Sequence, residues 1–128
     1  CSRGEGIRMT LSTNHFEHGG LTVSVIGAVA SATVRWQGVS DAREPATHLS
    51  PFLSNLVDSI YNKDVCVDFR KLEYMNSATV SPLINFVKTL DARGTRTTLL
   101  FDMDVPWQKV NARCMRAIAR TLSNVQVP

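Results

Sequence analysis

Side chains able to do chemistry are few in this chain, and the densest group of them lies between Asp68 and Val80. That stretch reads Asp68-Phe69-Arg70-Lys71-Leu72-Glu73-Tyr74-Met75-Asn76-Ser77-Ala78-Thr79-Val80. An apolar, β-rich run precedes it and an amphipathic run follows, so Asn76-Ser77 stands where a loop gives way to a helix. Asn and Ser oxygens accept hydrogen bonds from the free N–H groups of a first helical turn. The same place suits a phosphate, because a helix N-terminus presents donors and a partial positive charge. Capping alone accounts for these residue types.

Other constellations are weaker. His15 and His18 have a spacing that could chelate a metal, but Glu17 is the sole carboxylate beside them and no cysteine is near, so they read as a chance surface pair. His48 falls on an expected helix, facing solvent. G-x-S-x-G, P-loop, G-x-G-x-x-G and H-E-x-x-H patterns are all missing, so no enzyme, cofactor or metal is expected. Lys109, Arg113, Arg116 and Arg120 recur at four-, three- and four-residue steps and form one basic helical stripe. Such a stripe is either a solvated face or a docking surface for an acidic partner.

Elements that would position these groups can be read from periodicity. Leu21 to Ile26 and Thr33 to Gln37 alternate apolar and polar, the period of half-buried strands, and a short connection makes them an antiparallel hairpin that stops at Gly38. The first ordered element is expected after the His18-Gly19-Gly20 turn. Ala46, Leu49, Phe52, Leu53, Leu56, Val57 and Ile60 mark a first helix, with Ser50-Pro51 as a local start signal within it. Val65 to Phe69 reads as a central strand, with Arg70 to Asn76 as connection. Val80, Leu83, Ile84, Val87 and Leu90 mark a second helix closed by Arg93-Gly94. It is expected to start at Asn76-Ser77, although Ser81-Pro82 is itself a cap pair. Thr97 to Phe101 is the next strand. A third helix from about Pro106 to Leu122 is expected to bury Trp107, Val110, Cys114, Ile118 and Leu122, with Val125 to Val127 as a closing strand. The order is β-β-α-β-α-β-α-β, an α/β chain with helices packed on a largely parallel sheet.

Composition sets the bounds. With 128 residues the chain fits one domain, read as residues 21–128. Residues 1–20 are read as a remnant and flexible N-terminal segment. Cys1 to Arg8 would be left over from expression ahead of Met9; a piece cut from a larger chain and a lipid-bearing N-terminal cysteine are the alternatives. Net charge is +3, and no run of basic residues interleaves with aromatics, which does not support a nucleic-acid surface. Cys1, Cys66 and Cys114 are odd in number and widely spaced, as in reduced cytosolic proteins, and the latter two read as small buried hydrophobes. No apolar stretch approaches the roughly 20 residues of a membrane span.

The run V-D-F-R-x-L-x-Y-M-N-S before an apolar helix resembles the signature loop of STAS (sulfate transporter and anti-sigma-factor antagonist) domains, usually D-S-S-G or D-S-T-G. Gly38-Val39-Ser40-Asp41-Ala42 resembles that family's G-x-x-D-A turn before its first helix, and the element order matches over roughly Leu21 to Val127. Asn76-Ser77 together with Pro106-Trp107-Gln108 is similar to a Slr-type STAS-like regulator subgroup with N-S-S-G and P-W-Q motifs. The resemblance implies a STAS-like mixed sheet with an N-terminal hairpin, and a non-catalytic, cytoplasmic bacterial regulator. Its partner would be a protein, a kinase-like anti-sigma factor or a phosphatase, in a partner-switching pathway, and the chain a monomer or weak homodimer. The family's phosphorylated hydroxyl aligns with Ala78 and its glycine with Thr79. The resemblance therefore implies a switch that is either lost or moved to Ser77 or Thr79, read here as degenerate. Ser77 and Thr79 are the phosphoacceptor candidates, Ser77 the better matched to the motif, and Asn76, Ser77, Ala78, Thr79 and Ser81 the partner-binding surface. A small-ligand or nucleotide-sensing STAS-like module is the alternative, without a phosphate-cradling glycine loop to support it.

Overall fold

A computed structural model of the chain describes residues 15–128. The reading of Cys1 to Arg8 as a remnant therefore lies outside the described residues. Six strands form one mixed sheet: β1 (His15–His18), β2 (Leu21–Gly27), β3 (Ser31–Ser40), β4 (Asp64–Met75), β5 (Thr97–Leu100) and β6 (Val125–Gln126). Three helices connect the later strands: α1 (Ala46–Ile60), α2 (Ser77–Ala92) and α3 (Pro106–Ala119). The strands lie side by side in chain order. Pairing is antiparallel from β1 to β3 and parallel from β3 to β6. The expected hairpin, α/β class and crossover order are all present.

Alternation in the strands builds the core. Leu21, Val23 and Val25 of β2, Val34 and Trp36 of β3, Val65, Val67 and Phe69 of β4, and Leu99 of β5 are buried in one cluster with the inward side chains of the helices. Leu49, Leu53, Leu56, Val57 and Ile60 supply that face of α1, as the periodicity requires. Alternate positions such as Thr22, Ser24, Thr33, Arg35 and Cys66 stay half-exposed. Phe69 links neighbouring strands across the sheet, with ring centroids 5.5 Å from Trp36 and 4.9 Å from Phe101.

Several local readings need correction. The first ordered element precedes the Gly19-Gly20 turn instead of following it, because β1 extends the sheet edge. Its single apolar residue, Phe16, packs on Phe52 of α1 at 5.1 Å, and His18 stacks on His48 at 4.0 Å. Four residues with one apolar member carry too little alternation to be seen locally. Strand β4 runs through the supposed connection to Met75, and β3 continues past Gly38 to Ser40. Register shifts between Arg35 and Gln37 and between Gly38 and Val39 mark bulges there, which break strict alternation.

Helix α1 starts at Ala46, not at Ser50-Pro51. Pro51 is the sixth helical residue, and Pro82 holds the same place in α2. A proline there removes the bond to the carbonyl four residues back. Those carbonyls belong to Thr47 and Ala78, both exposed residues, where water can take the missing place.

The largest correction concerns α3. It buries Gln108, Ala112 and Met115; Val110 and Cys114 face outward, and Trp107, Ile118 and Leu122 lie half-buried at the core margin. Cys114 is thus no buried hydrophobe. A polar residue sets the rotation. Gln108 is 1% exposed, its Oε1 accepts from the Asp102 amide at 2.7 Å, and its Nε2 donates to the Leu72 carbonyl at 3.0 Å. Those two bonds replace what burial takes from the amide, so Gln108 can point into the interior.

Candidate functional site

Because β3 to β6 run parallel, the chain leaves β3, β4 and β5 at one edge of the sheet and enters a helix each time. The ends of β3 and β4 meet there, with Ser40 opposite Met75. Asn76 follows directly and caps α2 in an extended conformation. Its amide donates to the Ser40 carbonyl at 2.9 Å, which joins the two motifs through the backbone.

The side chains complete the joint. Asn76 Oδ1 accepts from the Thr79 amide at 3.0 Å and from the Thr79 hydroxyl at 2.7 Å. Asn76 Nδ2 donates to the Ala42 carbonyl at 2.8 Å. Thr79 Oγ1 also lies 2.7 Å from Ser40 Oγ. The Thr79 proton is committed to Asn76, so Ser40 is the donor in that last bond. The result is a one-way relay, Ser40 to Thr79 to Asn76, in a place where Ser40 and Thr79 are 3% and 0% exposed. Every polar atom removed from water in this joint has a partner, which makes it a rigid mount and not a reactive centre.

The mount sorts the sequence candidates. The Thr79 hydroxyl is buried and used in two hydrogen bonds. Ser77, Ala78 and Ser81 are exposed on the first turns of α2. Ser40 and Ala42, both inside the Gly38 to Ala42 motif, join the site through Thr79 and Asn76.

Gly38 makes the approach possible. It has φ +89°, and a Cβ there would overlap the Gly20 carbonyl oxygen. That oxygen is itself held by the Val39 amide at 2.9 Å. Next to this crossing, Gly20, Val39, Ser40 and Pro45 line a cavity of about 20 Å³, room for one water. A second depression, about 240 Å³, lies between α1 and α2 over Leu53, Val57, Pro82 and Phe86, with Ser54 and Asn85 at its sides; no charged residue lines it.

The remaining candidates are placed elsewhere. His15 and His18 do not converge, since three steps along a strand put them on opposite faces of the sheet. Among the described residues no group of three or more His, Cys, Asp or Glu is arranged to hold a metal ion. Lys109, Arg113 and Arg120 are exposed, but Arg116 leaves the stripe: it donates to the carbonyls of Val127 at 3.3 Å and Pro128 at 2.6 Å. Burial and the nearby Asp68 carboxylate push the Cys66 thiol up, away from thiolate reactivity. No described helix is long and apolar enough to cross a membrane.

Asp68 is the one carboxylate that is both buried and paired among the described residues. Arg70 grips it with Nε at 3.0 Å and Nη2 at 2.9 Å, and adds its own amide at 3.0 Å. The guanidinium bonds hold the Asp68 carboxyl below the usual carboxylate range, against burial, which acts the other way. A depressed folded value stabilises the fold above the unfolded pKa of about 3.9, and the gain is lost as pH falls through the folded value. Asp68→Asn is therefore expected to lower the urea midpoint at pH 7. The gap to the parent should narrow as pH falls below the unfolded value of about 3.9 and close once it has passed the depressed folded value. A gap that stays constant with pH would rule out the charge as its source.

No family profile and no curated protein sequence matches the chain. Its fold, however, is found among solved structures, and it is that of SpoIIAA, an α/β sheet-and-helix architecture. The Bacillus cell-fate determinant SpoIIAA in its phosphorylated form superposes with a TM-score of 0.58 at 15% identity, over 83% of this chain and 90% of that one. The anti-sigma factor antagonist SpoIIAA in its unphosphorylated form gives 0.53 at 15% identity, over 81% and 86%. A protein of the DUF3478 family with a SpoIIAA-like fold, from Shewanella loihica, gives 0.54 at 7% identity over 88% of each chain. The expected STAS-like architecture is thus present.

Proposed function

We propose that this chain is a non-catalytic bacterial signalling protein. It acts by protein–protein interaction in the manner of anti-sigma-factor antagonists, in a cytoplasmic partner-switching pathway. The observation that carries the reading is the contrast at the start of α2. Asn76, Thr79 and Ser40 form a closed internal network, and beside it Ser77, Ala78 and Ser81 face solvent. A rigid mount with a small, uncharged, exposed first turn fits a surface that another protein reads. The family's usual phosphoacceptor is Ala78 here, so Ser77 takes that role.

A phosphate on Ser77 would place nearly two negative charges at the N-terminus of α2, where backbone N–H groups favour them. It would also put a large hydrated anion on the face a partner must approach, so one modification both suits the helix and blocks contact. The partner is a kinase-like anti-sigma factor or a phosphatase. Nucleotide sensing draws less support: the depression between α1 and α2 offers phosphates no cation, and another, of about 320 Å³ beside Ser123 to Gln126, offers Arg96 alone.

Site mapping by mass spectrometry on the protein purified from its native cells tests this. Phosphate on Ser77 is expected, with none on the Ser77→Ala variant. An unmodified α2 N-terminus under several growth conditions would remove the switch from this protein and assign control of binding to the partner. Phosphate on Thr79 would show that the buried network opens.

A further inference from the structure

Helix α3 carries two apolar faces, and the fold uses one. Gln108, Ala112 and Met115 turn inward. On the outer side Trp107, Val110, Cys114 and Ala117 recur at steps of three, four and three, the spacing of a coiled-coil seam. Val110 is 62% exposed, Cys114 and Ala117 are exposed, and Trp107 is half-buried. In that heptad frame Arg113 and Arg120 take equivalent flanking places seven residues apart, with Lys109 behind them. No Asp or Glu occurs between Pro106 and Ala119. Among the described residues none of these three cations enters an ion pair.

We propose that this face of α3 docks an acidic amphipathic helix of a protein partner. The partner's apolar seam lies on Trp107, Val110, Cys114 and Ala117, and its carboxylates lie opposite Arg113 and Arg120. Charge and apolarity together choose the occupant. A phosphate polymer or an anionic lipid surface would satisfy the cations and leave the seam unmatched. A second copy of this chain would match the seam and bring two basic ridges together, which is repulsive. An acidic helix satisfies both, as helix-in-groove recognition does with anchors at three- and four-residue steps. The inference rests on the reading that the chain works through protein partners, and it uses a surface separate from Ser77.

The test uses a synthetic peptide of about three heptads, with Leu at seam positions and Glu at flanking ones. Trp36 is fully buried, so a change in tryptophan emission reports on Trp107. Saturable binding with a blue-shifted emission is expected. Val110→Asp, and separately Arg113→Glu with Arg120→Glu, should each weaken it at least about tenfold. Ala117→Arg is a second seam change, and circular dichroism confirms that each variant is folded. A control peptide with Lys in place of Glu should not bind. The proposal is overturned by no binding up to about 1 mM, or by binding that survives both seam changes. Tighter, charge-sensitive association with duplex DNA or anionic vesicles that ignores Val110→Asp would also overturn it. Dimerisation abolished by Val110→Asp would assign the face to a second copy instead. The Ser77 reading is judged separately by phosphate mapping, so either can fail alone.

Discussion

Gly38→Ala is expected to lower stability by at least about 3 kcal/mol, roughly 10 °C in melting temperature for a domain of this size. Two effects add. At φ +89° any Cβ meets the left-handed penalty of about 1–2 kcal/mol. The new methyl would also overlap the Gly20 carbonyl oxygen, a backbone atom already pinned by the Val39 amide. Neither backbone can retreat without breaking the β2–β3 ladder or shifting Ser40 out of the network. Gly94→Ala supplies the control. It has φ +76° with nothing within 4 Å of the added Cβ, so it meets the conformational penalty alone. Thermal melts followed by circular dichroism separate the two. If both variants melt within about 3 °C of each other, the close crossing of Gly20 and Gly38 does not constrain the fold.

Thr79→Val should cost about 2 kcal/mol while keeping the side-chain shape. The hydroxyl is the acceptor for Ser40 and a donor to Asn76, so its loss leaves a buried Ser40 proton without a partner. Thr79→Ser keeps both bonds and should be the milder change. A double-mutant cycle with Ser40→Ala gives the sharper reading. Once Ser40 has no hydroxyl, the Thr79 substitution strands one group fewer, so the pair should destabilise by less than the sum. Strict additivity in urea unfolding would mean that the relay is absent in solution. The glycine found here in the usual STAS loop could not make this relay. In this chain the hydrogen bonds of Thr79 hold the first turn of α2 in place.

The parts of this architecture that announce themselves in the sequence are those built by one periodic rule. Leu21 to Val25 and Leu49 to Ile60 each bury one consistent face, and Asn76 is a cap that the residues before and after it make necessary. The missed parts combine rules. Arg70 to Met75 looked like a connection because the register shifts opposite Arg35–Gln37 and Gly38–Val39 each place one extra residue on β4, so its sequence loses the two-residue alternation that marks a strand. Helix α3 presented its stronger apolar stripe, Trp107 to Ile118, as the inner face. Gln108 reversed that choice through two hydrogen bonds to groups elsewhere in the chain, the Asp102 amide and the Leu72 carbonyl. A polar residue wins a buried place only when distant backbone completes it, and no local window can show that. For the site the same holds: Asn76 and Ser77 were visible, but the burial of Thr79 depends on Ser40, thirty-nine residues away.

A sheet whose spatial order repeats its chain order also constrains how the protein comes into being. Each new strand, from β2 to β6, meets its partner already made. No strand must wait for a later one to fill a gap beside it, as it would in a sheet with a strand inserted between two older neighbours. Loop closures are therefore limited to one helix and its connections at a time, which keeps the entropy of each pairing step low. During synthesis the growing sheet has one unsatisfied edge at its advancing side, and the next segment to emerge covers it. In the bulged stretch of β3 with β4, the register is pinned at its far end where the Asn76 amide reaches the Ser40 carbonyl. Assembly and the mounting of α2 are then completed by the same contact.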